Sequence, residues 1–113
     1  MAVTCELKGT VGVIRVTGPL LSGNADGFRQ TFESWFTQAG CRQVVADLSG
    51  MDQLDSTGLG SLIAALKRIT EKGGDLKLAA LQKRVRLVFE ITRTYKVFEI
   101  YDTVEEALRS AGA

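Results

Sequence analysis

The strongest constraint on the fold is an uninterrupted apolar strand that leads directly to an amphipathic helix. The strand, Gln43 to Leu48, shows little polar alternation, which is typical of a parallel strand covered on both faces. The helix is predicted over Ser56 to Glu71 from apolar residues at helical spacing, and it ends at the glycines of Lys72-Gly73-Gly74. Together they predict a layered α/β domain.

The rest of the chain continues this alternation of strands and helices. The other predicted elements are a hairpin over about residues 3–8 and 11–17, a helix from near Ala25 to Gly40, a strand from Leu76 to Ala80, a helix around 85–91, a short strand around 97–100, and a last helix capped by Asp102 or Thr103. No linker or repeat interrupts the series. Residues 1–113 are therefore predicted to form one domain with a mixed, mostly parallel sheet, an N-terminal hairpin and about four helices.

An aromatic stripe lies on the first predicted helix. Phe28, Phe32, Trp35 and Phe36 follow one another at i, i+4, i+7 and i+8. This spacing is typical of a helix that packs onto a sheet, although such a stripe can also line a ligand pocket.

Composition excludes several classes of function. The chain has no histidine, which removes Ser-His-Asp and Cys-His catalysis and argues against a zinc site. Its two cysteines, Cys5 and Cys41, lack the CxxC spacing and are expected to be free thiols beside strands. We expect no catalytic residue, no cofactor and no metal.

The net charge and the length of the apolar runs indicate which partners and which location to expect. A formal net charge of +1 gives no electrostatic reason for direct binding to nucleic acid or to an acidic membrane. No apolar run is long enough to span a bilayer, and the N-terminus lacks the pattern of a secretory signal. The expected location is the cytoplasm.

The candidate site is the segment Asp55-Ser56-Thr57-Gly58-Leu59-Gly60, where a loop becomes a helix. It matches neither the Walker phosphate loop nor the GxGxxG pattern. Its acidic and hydroxyl side chains can simply cap the helix. A cap does not account for two glycines in the first turns, each of which costs roughly 1 kcal/mol relative to alanine. Positions without side chains next to an exposed hydroxyl therefore predict a surface that another protein or a phosphate can approach closely.

Residues 44–60 resemble the signature of STAS domains, and most closely that of bacterial anti-sigma factor antagonists. The resemblance continues through residues 72–78 and 85–92. It implies a single STAS-like domain that binds an anti-sigma factor which is also a serine/threonine kinase, and so releases the sigma factor. The kinase then phosphorylates the hydroxyl that follows the motif aspartate, and a phosphatase resets the switch. That hydroxyl corresponds to Ser56, with Thr57 as the rival acceptor. The domain itself would catalyse nothing.

The sequence departs from the family at one place. An acidic pair after the second strand is replaced by Pro19 and Leu21, which predicts a more apolar surface beside Ser56. The residues predicted to bind the partner are Asp55, Ser56, Thr57, Gly58, Leu59, Gly60, Leu21 and Asn24.

Two alternatives remain open. One is a STAS scaffold in a signalling or transporter-associated complex, which needs no phosphorylation. The other is an enzyme or small-molecule carrier that uses Asp47, Asp52 and Asp55, although capping and loop solvation account for these carboxylates.

Overall fold

The computed structural model describes all 113 residues. It contains five strands, four α-helices and one short 3-10 helix. The strands are β1 (Ala2–Lys8), β2 (Val11–Thr17), β3 (Gln43–Asp47), β4 (Asp75–Ala79) and β5 (Glu99–Tyr101). The helices are α1 (Ala25–Ala39), α2 (Ser56–Glu71), α3 (Lys83–Thr92) and α4 (Val104–Ala111), and the 3-10 helix is Thr94–Lys96.

The strands form one sheet in their order along the chain, from β1 to β5. β1 and β2 form an antiparallel hairpin, whereas β2 to β5 are parallel. The predicted mixed α/β sheet is confirmed. Helix α2 has the predicted bounds, because its cap, its apolar stripe and its glycine stop are all local signals.

The last strand differs from its prediction. Residues 97–100 were expected to form it, but β5 begins at Glu99. Phe98 instead donates its backbone N–H to the carbonyl of Thr94, and its ring packs edge-on against Phe89 at 5.6 Å between centroids. Val97 is exposed. Residues 97 and 98 therefore form a turn that buries the Phe98 ring, and they do not pair with the neighbouring strand.

The two faces of the sheet are covered unequally. One face and helices α1, α2 and α3 form a core of 21 buried residues. On the other face, Ala107 of α4 packs over Val11, Val45 and Ala79 in a much smaller cluster. Successive residues of a strand point to opposite faces, so each inner strand contributes to both clusters.

The aromatic stripe of α1 belongs to the larger core. Phe28, Phe32 and Phe36 are buried with their rings roughly parallel, at centroid distances of 6.5 Å and 5.3 Å. The half-buried ring of Trp35 occupies the space that a side chain at Gly12 would need. The stripe therefore packs the helix onto the sheet.

Both cysteines are free, as predicted, and burial raises the pKa of each thiol.

The loops after β2 and β3 run side by side at the carboxyl edge of the sheet. The N–H of Gly18 donates to the carbonyl of Gly50 at 2.8 Å, and that of Leu20 donates to Gln53 at 3.0 Å. Leu20 and Leu54 form an isolated parallel bridge. This pairing brings the segment after Leu20 next to the start of helix α2.

Candidate functional site

Asp55 joins the two loops at the start of α2. Its Oδ1 accepts a hydrogen bond from the N–H of Gly58 at 2.7 Å, and its Oδ2 accepts one from the N–H of Ser22 at 2.8 Å. These donors, that of Gly58 first, lower the pKa of the Asp55 carboxyl. Both carboxylate oxygens are therefore engaged in fixing the backbone, which is the capping role expected of this residue.

The two hydroxyl-bearing residues of the first turn face solvent. Ser56 and Thr57 are exposed, and neither side-chain oxygen makes a hydrogen bond within the chain. Helix α2 begins at Ser56. The Ser56 hydroxyl is therefore accessible on a backbone that Asp55 holds in place.

Gly58 has a different role from the predicted one. It is buried, and a Cβ at this position would collide with the carbonyl oxygen of Leu20 and lie 2.9 Å from Cδ1 of Leu54. The backbone that approaches Gly58 is that of the chain's own β2–α1 loop. The chain's own backbone therefore fills the space that the sequence analysis expected a partner to approach.

Leu59 also lies beneath the surface. It is 5% exposed and belongs to the larger core, so its side chain adds little to the surface. Gly60 is less enclosed, since the nearest atom to a Cβ there would be Nη2 of Arg29 at 3.8 Å. The two glycines of the motif therefore differ: packing requires Gly58 but leaves Gly60 free to change.

The loop beside Ser56 is closed by Asn24. Its Oδ1 accepts a hydrogen bond from the N–H of Leu21 at 2.9 Å, and its Nδ2 donates to the carbonyl of Pro19 at 3.0 Å. Pro19 and Leu21 are half-buried, so they add only limited apolar surface beside Ser56. Asn24 and Leu21, both predicted at the site, lie in the loop that the Ser22–Asp55 hydrogen bond holds next to the start of α2.

Two contacts near the site were not predicted from the sequence. Ser22 lies 33 positions before Asp55, and Arg29 lies on a different helix from Gly60. No local motif indicates either contact. The apolar runs predict that the strands are parallel neighbours, which is the one signal that the loops after them lie close together. These runs do not define the register of one strand against the next, so they do not indicate which residues meet.

No cavity opens at the two exposed hydroxyls of the first turn. The chain has three surface cavities, and neither Ser56 nor Thr57 lines any of them. Small ligands generally occupy concave pockets. No group of three histidine, cysteine or acidic side chains is placed to hold a metal ion, and every helix is too short or too polar to cross a membrane.

The STAS domain family model matches residues 2–107. The chain belongs to the STAS domain family. A curated relative of this STAS domain is the anti-sigma F factor antagonist of Paenibacillus polymyxa, which is 26% identical over 96 residues, covering 85% of this chain and 82% of the relative.

Solved structures share the fold. The crystal structure of an anti-sigma factor antagonist from Mycobacterium paratuberculosis superimposes with a TM-score of 0.88 at 24% identity, over 99% of this chain and 94% of the other. The Bacillus cell fate determinant SpoIIAA in its phosphorylated form gives a TM-score of 0.73 at 20% identity, over 96% of this chain and 98% of the other. These two likenesses concern the fold alone.

Proposed function

We propose that this STAS domain is an anti-sigma factor antagonist that works by partner switching. The unmodified domain binds an anti-sigma factor serine/threonine kinase, phosphorylation of Ser56 by that kinase ends the binding, and a phosphatase restores it. The observation that carries the proposal is the Ser56 hydroxyl, which is exposed and makes no hydrogen bond within the chain. It lies at the start of a helix whose backbone is held by the hydrogen bonds of Asp55. The name of the Paenibacillus polymyxa relative supports the general role.

The proposed surface is the exposed part of the first turn together with the loop beside it. It comprises Ser56, Thr57 and Gly60 of α2 and Leu21 and Asn24 of the loop, with Asp55 fixing their relative positions. Gly58 and Leu59 support this surface from beneath.

Electrostatics explains how one phosphate would switch the complex. A phosphoserine adds about −1.5 to −2 charges at neutral pH. The start of an α-helix tolerates negative charge, so the domain stays folded. In a protein interface the same charge, if buried without full neutralisation, costs several kcal/mol. Binding is lost without a change of fold.

The experiment measures binding to a kinase-type anti-sigma factor from the same organism, by calorimetry. We expect a stoichiometric complex that Ser56→Asp weakens by about tenfold or more. Ser56→Ala should bind as the unmodified protein does. Ser34→Asp is the matched control, because Ser34 is an exposed serine of α1 and the charge change is the same. Equal binding by Ser56→Asp and Ser56→Ala contradicts the switch.

The acceptor is identified by incubating the domain with the kinase and ATP and locating the phosphate by mass spectrometry. Both hydroxyls are exposed, but the β-branched side chain of Thr57 has fewer accessible rotamers in a helix. We expect phosphate on Ser56 and none on Ser56→Ala. Phosphate on Thr57 in the unmodified protein would assign the switch to the rival residue.

A second candidate function is a scaffold that needs no phosphorylation. Four large apolar side chains on α3 and just after it favour this reading, since they are all exposed: Leu87, Ile91, Tyr95 and Val97. Exposed apolar patches often mark protein contacts. A partner that is lost with Ile91→Ser, yet binds Ser56→Asp and Ser56→Ala equally, would support the scaffold.

A further inference from the structure

Arg29 is an exposed cation beside the proposed switch, and the chain gives it no acidic partner. It lies on α1, and its Nη2 is 3.8 Å from the position that a Cβ on Gly60 of α2 would take. Three other arginines form ion pairs: Arg15 with Glu6 and Asp47, Arg68 with Glu33, and Arg86 with Asp102. Arg29 forms none, although Asp26 precedes it by one helical turn and Glu33, which lines the same cavity, follows it by one turn and pairs with Arg68.

Gly60 separates Arg29 from the proposed phosphate acceptor. Gly60 follows Ser56 by four residues and Thr57 by three, so all three lie on neighbouring parts of the helix surface, where Cβ atoms are about 5–6 Å apart. Steric packing does not require a glycine at this position, since Arg29 is the nearest group to a Cβ there and the contact would be an ordinary one. The missing side chain leaves an open strip between the Ser56 side chain and the guanidinium of Arg29.

We propose that Arg29 binds the phosphate on Ser56 within the same chain, an inference that rests on the proposed function. The ligand is a phosphate monoester dianion. A guanidinium presents N–H donors in a planar fork that matches two phosphate oxygens. In a helix, a long side chain such as that of Arg29 leans towards the helix N-terminus, and the start of α1 adjoins the start of α2 through the Ser22–Asp55 hydrogen bond. Phosphorylation then both adds charge and occupies Arg29.

The test uses full-length protein with phosphoserine installed at position 56 during synthesis, so no kinase is involved. Phosphorus NMR follows the second ionisation of the phosphate through a pH titration. An opposite charge favours the dianion. We expect Arg29→Gln to raise this pKa by roughly a few tenths of a unit, the size of an exposed ion pair. Arg29→Lys keeps the charge and should restore part of the difference.

Arg42→Gln is the matched control, because Arg42 is also an exposed arginine without an ion pair. Arg42 lies just before β3 and Ser56 lies after it, so the two residues are at opposite ends of this strand. The carboxylates of Asp26, Glu33 and Asp55 are present in every variant, so their repulsion of the phosphate cancels in the comparison. A pKa that is higher in Arg29→Gln than in Arg42→Gln supports the proposal. Equal pKa values in these two variants overturn it.

Failure here is distinguishable from failure of the switch. The titration reports only on the contact between Arg29 and an installed phosphate, whereas the switch is judged by binding of the partner to Ser56→Asp and Ser56→Ala. Far-ultraviolet circular dichroism of the Arg29→Gln variant establishes that it is folded before the titration.

Discussion

The backbone N–H of Ser22 donates a hydrogen bond to the carboxylate of Asp55 across 33 residues of chain. The other oxygen of that carboxylate accepts from Gly58. One side chain therefore fixes both the loop after β2 and the first turn of α2. The surface proposed to meet a partner depends on this bridge, although Asp55 itself needs no contact with the partner.

Replacing Asp55 should destabilise the domain and loosen the β2–α1 loop. Asp55→Ala removes both acceptors at once, so two backbone N–H groups lose their partner. We expect the midpoint of thermal unfolding to fall by several degrees, measured by circular dichroism. Asp52→Ala is the control, since Asp52 is exposed and its side chain makes no hydrogen bond. Equal melting temperatures for the two variants would contradict the bridging role.

The contribution of Asp55 should depend on pH in a defined direction. The N–H groups of Gly58 and Ser22 lower the pKa of the folded carboxyl. A lowered pKa gives stability that is complete above the unfolded value of about 3.9 and is lost as the pH falls through the folded value. The difference in melting temperature between the unmodified protein and Asp55→Ala should therefore be constant near neutral pH and shrink in acid. A difference that persists undiminished in strong acid would show that ionisation of the carboxylate is not its source.

The two glycines of the motif should respond oppositely to alanine. Gly58→Ala places a methyl group against the backbone of Leu20, which cannot move without disturbing the paired loops. We expect it to lower the free energy of unfolding by about 3 kcal/mol. Gly60→Ala meets only an ordinary contact and should raise that energy by roughly 0.5–1 kcal/mol through helix propensity. Urea unfolding measures both, and similar effects from the two substitutions would contradict the structure.

A negative charge at Ser56 should leave the domain folded. Ser56 is the first residue of α2 and is exposed, so the helix dipole offsets the repulsion between a new carboxylate and Asp55. We expect Ser56→Asp to unfold in urea within about 0.5 kcal/mol of the unmodified protein. This result is needed for the partner-binding comparison, because a loss of binding can be ascribed to charge only if the variant is intact. A large loss of stability would remove that basis.

Local sequence signals predicted α2 well, and the reason is physical. The acidic cap, the apolar stripe and the terminal glycines each act through residues within one or two turns of their own position, so the helix boundaries need no knowledge of contacts with other elements. The strand at 97–100 was predicted less well. The Phe98 ring is buried against Phe89 of the preceding helix α3, and this tertiary packing overrides the strand propensity of the segment.

The sequence by itself determined the α/β class, the single domain and the start of α2 at Ser56, because these follow from periodicity and from local backbone chemistry. The motif that marks the family was identified by its resemblance to STAS domains. Only the tertiary structure decided what Gly58, Asp55 and Arg29 contact. Gly58 meets the backbone of Leu20, Asp55 meets Ser22, and Arg29 lies over Gly60. Each of these contacts joins two elements that the parallel sheet brings side by side. Their alignment depends on the register of the strands and the packing of α1 on α2, which no local pattern specifies.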